Sequence, residues 1–163
     1  MGRAGCSRSG AVRITEASLR DIDEICLLRI EMLDGFRKRS ASERRSMLAA
    51  LRVYFRTMMK RKEVRQWFLK KGAETVATGA WVAFHRPPRH LRRMKGDAYL
   101  FSFYTRPGHR RKGYATRLLR HIVAQARAAG FSRVTLRASE EGAKVYRKAG
   151  FSHPESVMEL ELE

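Results

Sequence analysis

The sequence predicts an α/β (α+β) domain in which a mixed sheet carries four helices, in the order β, α, α, β, β, β, α, β, α, β. Three observations lead there. Tyr99 to Gly130 reads as an apolar strand, a short basic turn and a long amphipathic helix, and a further strand, RVTLR at 133–137, follows it. A strand–helix–strand unit of this kind calls for a right-handed crossover between parallel strands. Val64 to Leu69 and Thr75 to Phe84, joined through Lys71-Gly72, read instead as a hairpin with antiparallel strands. One sheet holding both is mixed.

Taken in order, residues 1–10 (MGRAGCSRSG) are small, polar and basic, and read as a disordered tail before a single domain over 11–163. Val12 to Thr15 is a short strand with Val12 and Ile14 on one face. Ser18-x-x-Asp21 has the pattern of a capping box. The helix it opens runs to about Phe36, with Leu19, Ile22, Ile25, Cys26, Arg29 and Leu33 along one stripe. Arg29 interrupts that stripe, so its stem is expected on apolar surface and its head toward solvent or a carboxylate. Cys26, among apolar neighbours, reads as an inert buried thiol. Ser40-x-x-Glu43 is a second capping box, and Met47, Leu48, Leu51, Phe55, Met58 and Met59 give the following helix a broad core face. After the hairpin, His85 to Gly96 is a basic loop whose prolines exclude a helix or central strand. His85 and His90 have no Cys or carboxylate at metal-ligand spacing, so no metal is expected.

From Gly113 the apolar positions Ala115, Leu118, Leu119, Ile122, Ala126 and Ala129 fall on one helical face. Arg117, Arg120 and Arg127 take the other, and Gly130 stops the helix. Ala138-Ser-Glu-Glu opens a short helix ending at Ala149-Gly150. Val157 to Leu162 alternates as a closing strand, an edge candidate for pairing in a dimer.

Lys and Arg number 35 against 16 Asp and Glu, a formal net charge of +19 on 163 residues. Such an excess implies affinity for a phosphorylated cofactor, nucleic acid or an anionic surface. No apolar run approaches the ~20 residues of a membrane span. Two distant cysteines, Cys6 and Cys26, make no disulfide framework, which points to a reduced, cytoplasmic setting. There is no Gly-x-x-x-x-Gly-Lys-Ser/Thr or Gly-x-Gly-x-x-Gly phosphate loop, and no Ser-His-Asp or Cys-His set for covalent catalysis.

The informative segment is Arg110-Arg111-Lys112-Gly113-Tyr114-Ala115, over the first turn of the central helix. A helix start offers unpaired backbone N–H groups and partial positive charge, so it suits an anion. Small residues at 113 and 115 leave the backbone approachable.

Arg110-x-x-Gly113-x-Ala115 resembles the Arg/Gln-x-x-Gly-x-Gly/Ala signature of the GCN5-related N-acetyltransferases (GNAT), and the element order over about 11–163 is similar to theirs. Tyr146-Arg-Lys-Ala-Gly150-Phe151 resembles the family's Tyr-x-x-x-Gly-Phe, and Ser139-x-x-Gly142-x-x-x-Tyr146 its more frequent Asn-x-x-Ala-x-x-x-Tyr. The resemblance implies a six- to seven-stranded sheet whose central parallel strands splay to admit coenzyme A. It also implies transfer of an acetyl group from acetyl-CoA to a primary amine by direct attack. In that reading, backbone groups of Phe103 and Thr105 pair with the pantetheine arm. Amides of Arg110, Arg111, Lys112, Gly113, Tyr114 and Ala115 hold the pyrophosphate, with Thr116 adding a hydroxyl and Ser139 a polar contact. Tyr146 donates a proton to the departing thiolate. Glu31, Asp34, Asp97 and Glu159 are the carboxylates placed to border the acceptor cleft. A small-molecule or peptide amine is the expected acceptor, to a monomer or homodimer. The alternatives are a basic nucleic-acid-binding module on a decayed scaffold of this kind, or an enzyme acting on an RNA-linked or ribosomal amine.

Overall fold

The structure, a computed structural model, describes residues 11–85, 96–152 and 160. Five strands form one sheet in the order β1-β2-β3-β4-β5: β1 Val12–Glu16, β2 Val64–Lys71, β3 Glu74–Phe84, β4 Asp97–Thr105 and β5 Arg133–Leu136. The first three pairings are antiparallel and β4–β5 is parallel. The mixed sheet and its four helices, α1 Ile22–Asp34, α2 Ala41–Lys60, α3 Tyr114–Ala128 and α4 Glu140–Lys148, match the expected class. The described strands number five, fewer than the six or seven expected. The closing strand at 157–162 falls almost wholly outside the described residues, as do the tail and most of the basic loop.

Alternation along the strands sends side chains to two cores. Trp67, Leu69, Trp81 and Leu100 meet Leu118, Leu119, Ile122 and Ala126 of α3 on one face, and Val145, Tyr146 and Phe151 pack on the edge of that cluster. On the other face Val64 and Phe68 meet Ile22, Ile25, Cys26 and Leu28 of α1 and Phe55 of α2. Cys26 is fully buried and burial pushes its thiol pKa up, the inert state expected for it.

Both capping boxes form, with one correction. Ser18 and Asp21 cap a single 3-10 turn, Leu19–Asp21, and the α-helix begins only at Ile22. Leu19, expected in the buried stripe, is therefore off the α-helical register and 46% exposed. At α2 the Glu43 N–H donates to Ser40 Oγ at 3.2 Å, and the Ser40 N–H donates to Glu43 Oε2 at 2.7 Å. That backbone donor is the main reason the Glu43 carboxyl falls to about 2. Its contribution is present above the unfolded pKa of about 4.3 and fades as pH falls toward about 2. Ser40→Ala is expected to cost ~1 kcal/mol, read as a lower midpoint in urea with an unchanged slope.

Two features of β4 set the geometry of the sheet edge beside α3. Its pairing with β5 spans only Asp97–Leu100 against Arg133–Leu136, so residues 101–105 continue past the end of β5. Against β3 the register shifts between Thr78 and Ala80, where Ser102 and Phe103 bulge opposite Gly79, and Ser102 takes a left-handed φ of 52°.

Candidate active site

The Arg106 N–H donates to the Val76 carbonyl at 3.0 Å, so Arg106 faces β3. Strand alternation then turns the Tyr104 backbone to β3 and the Phe103 and Thr105 backbones to the opposite edge. Beyond Leu100 that edge has no strand partner among the described residues. The two residues expected to meet an extended amide chain thus present main-chain donors and acceptors where parallel pairing has stopped. The Thr105 carbonyl also accepts a 3.3 Å bond from Arg110 Nε.

Next to this edge, Pro107–His109 makes a 3-10 turn and the chain reaches α3 through two left-handed residues, Arg111 at φ 59° and Gly113 at φ 76°. The first intrahelical bond runs from the Arg117 N–H to the Gly113 carbonyl at 3.0 Å. The N–H groups of Tyr114, Ala115 and Thr116 therefore have no acceptor within the helix. A Cβ on Gly113 would meet no atom within 4 Å, so the glycine answers the backbone angle and keeps the space before the helix clear. Lys112 Nζ donates to the Gly108 carbonyl at 2.9 Å, and Arg111 is exposed. Tyr114 is half-buried on the core and stacks on His109 at 6.4 Å, leaving its amide as the part free to act.

Contacts the sequence did not reveal clamp this turn. Arg106 makes a two-point pair with Glu31 of α1, at 3.1 and 3.0 Å. Glu74 lies 3.7 Å from Arg106 Nη1 and 3.4 Å from His109 Nε2. Residues 31, 74 and 106 have no shared sequence pattern, so only the fold brings them together. Of the carboxylates expected near an acceptor, Glu31 is thus engaged with Arg106, and Asp34 with Arg39 and Arg44. Asp97 begins β4, at the far end from the bulge, and Glu159 lies outside the described residues.

Tyr146 comes to the same place from α4. The Gly150 N–H bonds the Arg147 carbonyl, and the Phe151 N–H bonds the Tyr146 carbonyl, with Gly150 at φ 89°. This is a Schellman closure, whose usual hydrophobic contact joins the two residues here numbered 146 and 151. Their rings lie 5.8 Å apart, edge to face. The Tyr-x-x-x-Gly-Phe spacing is thus the spacing of a helix stop that fixes the tyrosine. On its other side the Tyr146 ring meets Phe103 at 6.1 Å, and a Cβ on Gly142 would come within 3.1 Å of it. Burial raises the phenol's pKa, so it stays protonated beyond the ordinary range. The Ser139 hydroxyl accepts the Gly142 N–H at 3.2 Å and so caps α4.

The structure therefore brings Phe103, Thr105, the 110–116 turn and Tyr146 around one strand edge. The acetyltransferase (GNAT) family model matches residues 29–151, most of the chain. The protein belongs to that family. It is an acyl-CoA-dependent N-acetyltransferase. A predicted acetyltransferase from Clostridium acetobutylicum, crystallised with acetyl-CoA, is similar at TM-score 0.80 and 23% identity, over 93% of this chain and 96% of that one. A GCN5-related N-acetyltransferase from Ralstonia eutropha JMP134 is similar at TM-score 0.79 and 21% identity, over 93% and 99%. No curated protein matches the chain. Among the described residues no cluster of His, Cys, Asp or Glu suits a metal, and no helix is long and apolar enough to cross a membrane.

Proposed function

We propose that the protein moves the acetyl group of acetyl-CoA to a primary amine by direct attack in a ternary complex. The observation that carries this reading is the junction of an unpaired β4 edge with a helix start whose amides lack intrahelical acceptors. An extended pantetheine chain adds to the edge as a short strand through Phe103 and Thr105. The Arg110 N–H is given to the Pro107 carbonyl at 3.2 Å, so, against the sequence expectation, that amide is already engaged. The pyrophosphate rests on the amides from Arg111 to Ala115 and on the Thr116 hydroxyl, with Arg110, Arg111 and Lys112 supplying charge. The amine nitrogen attacks the acetyl carbonyl carbon, and a main-chain N–H at Phe103 to Thr105 meets the developing oxyanion. As the carbon–sulfur bond breaks, Tyr146 Oη gives its proton to the thiolate, the amine's proton leaves to water, and the tyrosinate regains a proton from solvent. Ser139, committed to the α4 cap, serves the pantetheine arm through its backbone or by sharing its hydroxyl.

Acetyl-CoA at sub-millimolar concentration is expected to raise Tm by several degrees, and thiol release should appear when a suitable amine is added. Stabilisation by RNA or heparin, with none by acetyl-CoA, would overturn the reading. Gly113→Val places a branched side chain at a left-handed angle and in the anion's space. It is expected to weaken acetyl-CoA binding by about tenfold or more and to shrink the thermal shift in parallel. An unchanged dissociation constant in titration calorimetry would remove the helix start from the binding site.

A further inference from the structure

We propose that Arg29 reads an anionic group on the acceptor: the amine acetylated here also carries a carboxylate or a phosphate. The proposal rests on the acetyltransferase reading and gives its acceptor a chemical class.

Arg29 lies on α1 with its guanidinium against the β4 bulge. Its Nη1 donates to Ser102 Oγ at 2.6 Å, and its Cζ stands 5.6 Å from the centre of the Phe101 ring. Phe101 and Ser102 directly follow Leu100, the last β4 residue paired with β5. The charge therefore stands at the head of the unpartnered edge, one residue before Phe103. Tyr146 meets Phe103 from the α3 face, whereas Arg29 meets Ser102 from the α1 face. An acceptor held by Arg29 and a thiolate served by Tyr146 would thus lie on different faces of one strand.

What singles out Arg29 is its company. Four described arginines are half-buried: Arg29, Arg39, Arg65 and Arg106. Three have carboxylates: Arg39 with Asp34 at 3.0 Å, Arg65 with Glu16 at 2.6 Å, and Arg106 with Glu31 at 3.0 Å. Arg29 has a neutral hydroxyl and an aromatic face, and among the described residues no Asp or Glu reaches it. Burial lowers its pKa, and the groups that act against this are the Tyr54 and Tyr99 phenols rather than any carboxylate. A guanidinium nevertheless keeps its charge. A half-desolvated cation with one of its five N–H groups given to a described residue is an incomplete pair. A planar carboxylate or a phosphate completes it with the two-point geometry that arginine offers. A purely cationic amine would be repelled at the same spot.

The test uses the full chain with saturating acetyl-CoA and matched acceptors. Amino acids are set against their amides for the carboxylate arm, and glucosamine 6-phosphate against glucosamine for the phosphate arm. In the wild type the best anionic member should exceed its neutral partner in kcat/KM by at least ~10-fold, the worth of a charge-assisted hydrogen bond. Arg29→Met should bring the ratio near one by raising KM for the anionic member, with Arg29→Lys keeping part of the preference. The KM for acetyl-CoA should not move. Arg29→Gln, closer in size and polarity, repeats the reading if the methionine variant does not fold. A purely structural role would depress both members of each pair alike and leave the ratio intact. That result, a wild-type ratio near one, or no turnover of any anionic member, overturns the proposal. Absence of both thermal shift and thiol release with acetyl-CoA would show instead that the acetyltransferase reading had failed, and the acceptor class with it.

Discussion

Tyr146→Phe is expected to lower kcat by about 10²- to 10⁴-fold while leaving the acetyl-CoA thermal shift in place. The change removes one oxygen and keeps the ring. The edge-to-face contacts with Phe103 and Phe151 therefore survive, as does the Schellman closure through the Tyr146 carbonyl. Stability should hardly change, and the loss should fall on the step in which sulfur leaves. pH supplies a second reading. Burial raises the phenol's pKa above its ordinary value of about 10, so the acid form persists further into alkali than for free tyrosine. The alkaline fall of kcat that belongs to Tyr146 should thus lie on the alkaline side of that of an ordinary phenol in the wild type and be absent from the phenylalanine variant. Stopped-flow thiol release across pH checks both. A variant that turns over at the wild-type rate would remove Tyr146 from the chemistry.

Gly79→Ala should have the largest effect on stability of any single methyl added near the site. A Cβ there would lie 2.6 and 2.7 Å from Phe103 ring atoms and 2.9 Å from Ile122 Cδ1. The Phe103 ring has little room to retreat, because Tyr146 stands on its edge. Overpacking of this kind costs about 1–3 kcal/mol, or roughly 3–10 °C of Tm in a domain of this size. Because Phe103 also supplies a main-chain group to the proposed cosubstrate edge, acetyl-CoA binding should weaken with it. Differential scanning calorimetry with and without acetyl-CoA separates the two losses. A Tm within one degree of the wild type would show that the bulge repacks freely.

Patterns local to a few residues carried much of the fold and the site. Period-two and period-3.6 spacing placed the strands and the α3 face. The Ser18 and Ser40 boxes placed two helix starts, though not the single 3-10 turn that leaves Leu19 exposed. Arg110-x-x-Gly113-x-Ala115 and Tyr146-x-x-x-Gly150-Phe151 are legible because each records one local conformation, a left-handed turn into a helix and a left-handed turn out of one. Phe103 and Thr105 were legible only through the family resemblance. The bulge that orients them depends on Gly79, which lies far off in the chain but opposite in the sheet.

By itself, then, the sequence determined the class of fold, the left-handed turn into α3 and the helix stop that holds Tyr146, since each is written in neighbouring residues. Tertiary structure alone decided which charges are paired. It gave Glu31 and Asp34, two carboxylates expected at the acceptor, to Arg106 and to Arg39 and Arg44. It left Arg29, expected to find solvent or a carboxylate, against a hydroxyl and an aromatic ring. The reason is that ion pairs and hydrogen bonds form between groups a few ångströms apart in space, and the residues concerned, Arg29 with the Ser102 hydroxyl or Glu31 with Arg106, come together only when α1 packs across β4 and the turn after it.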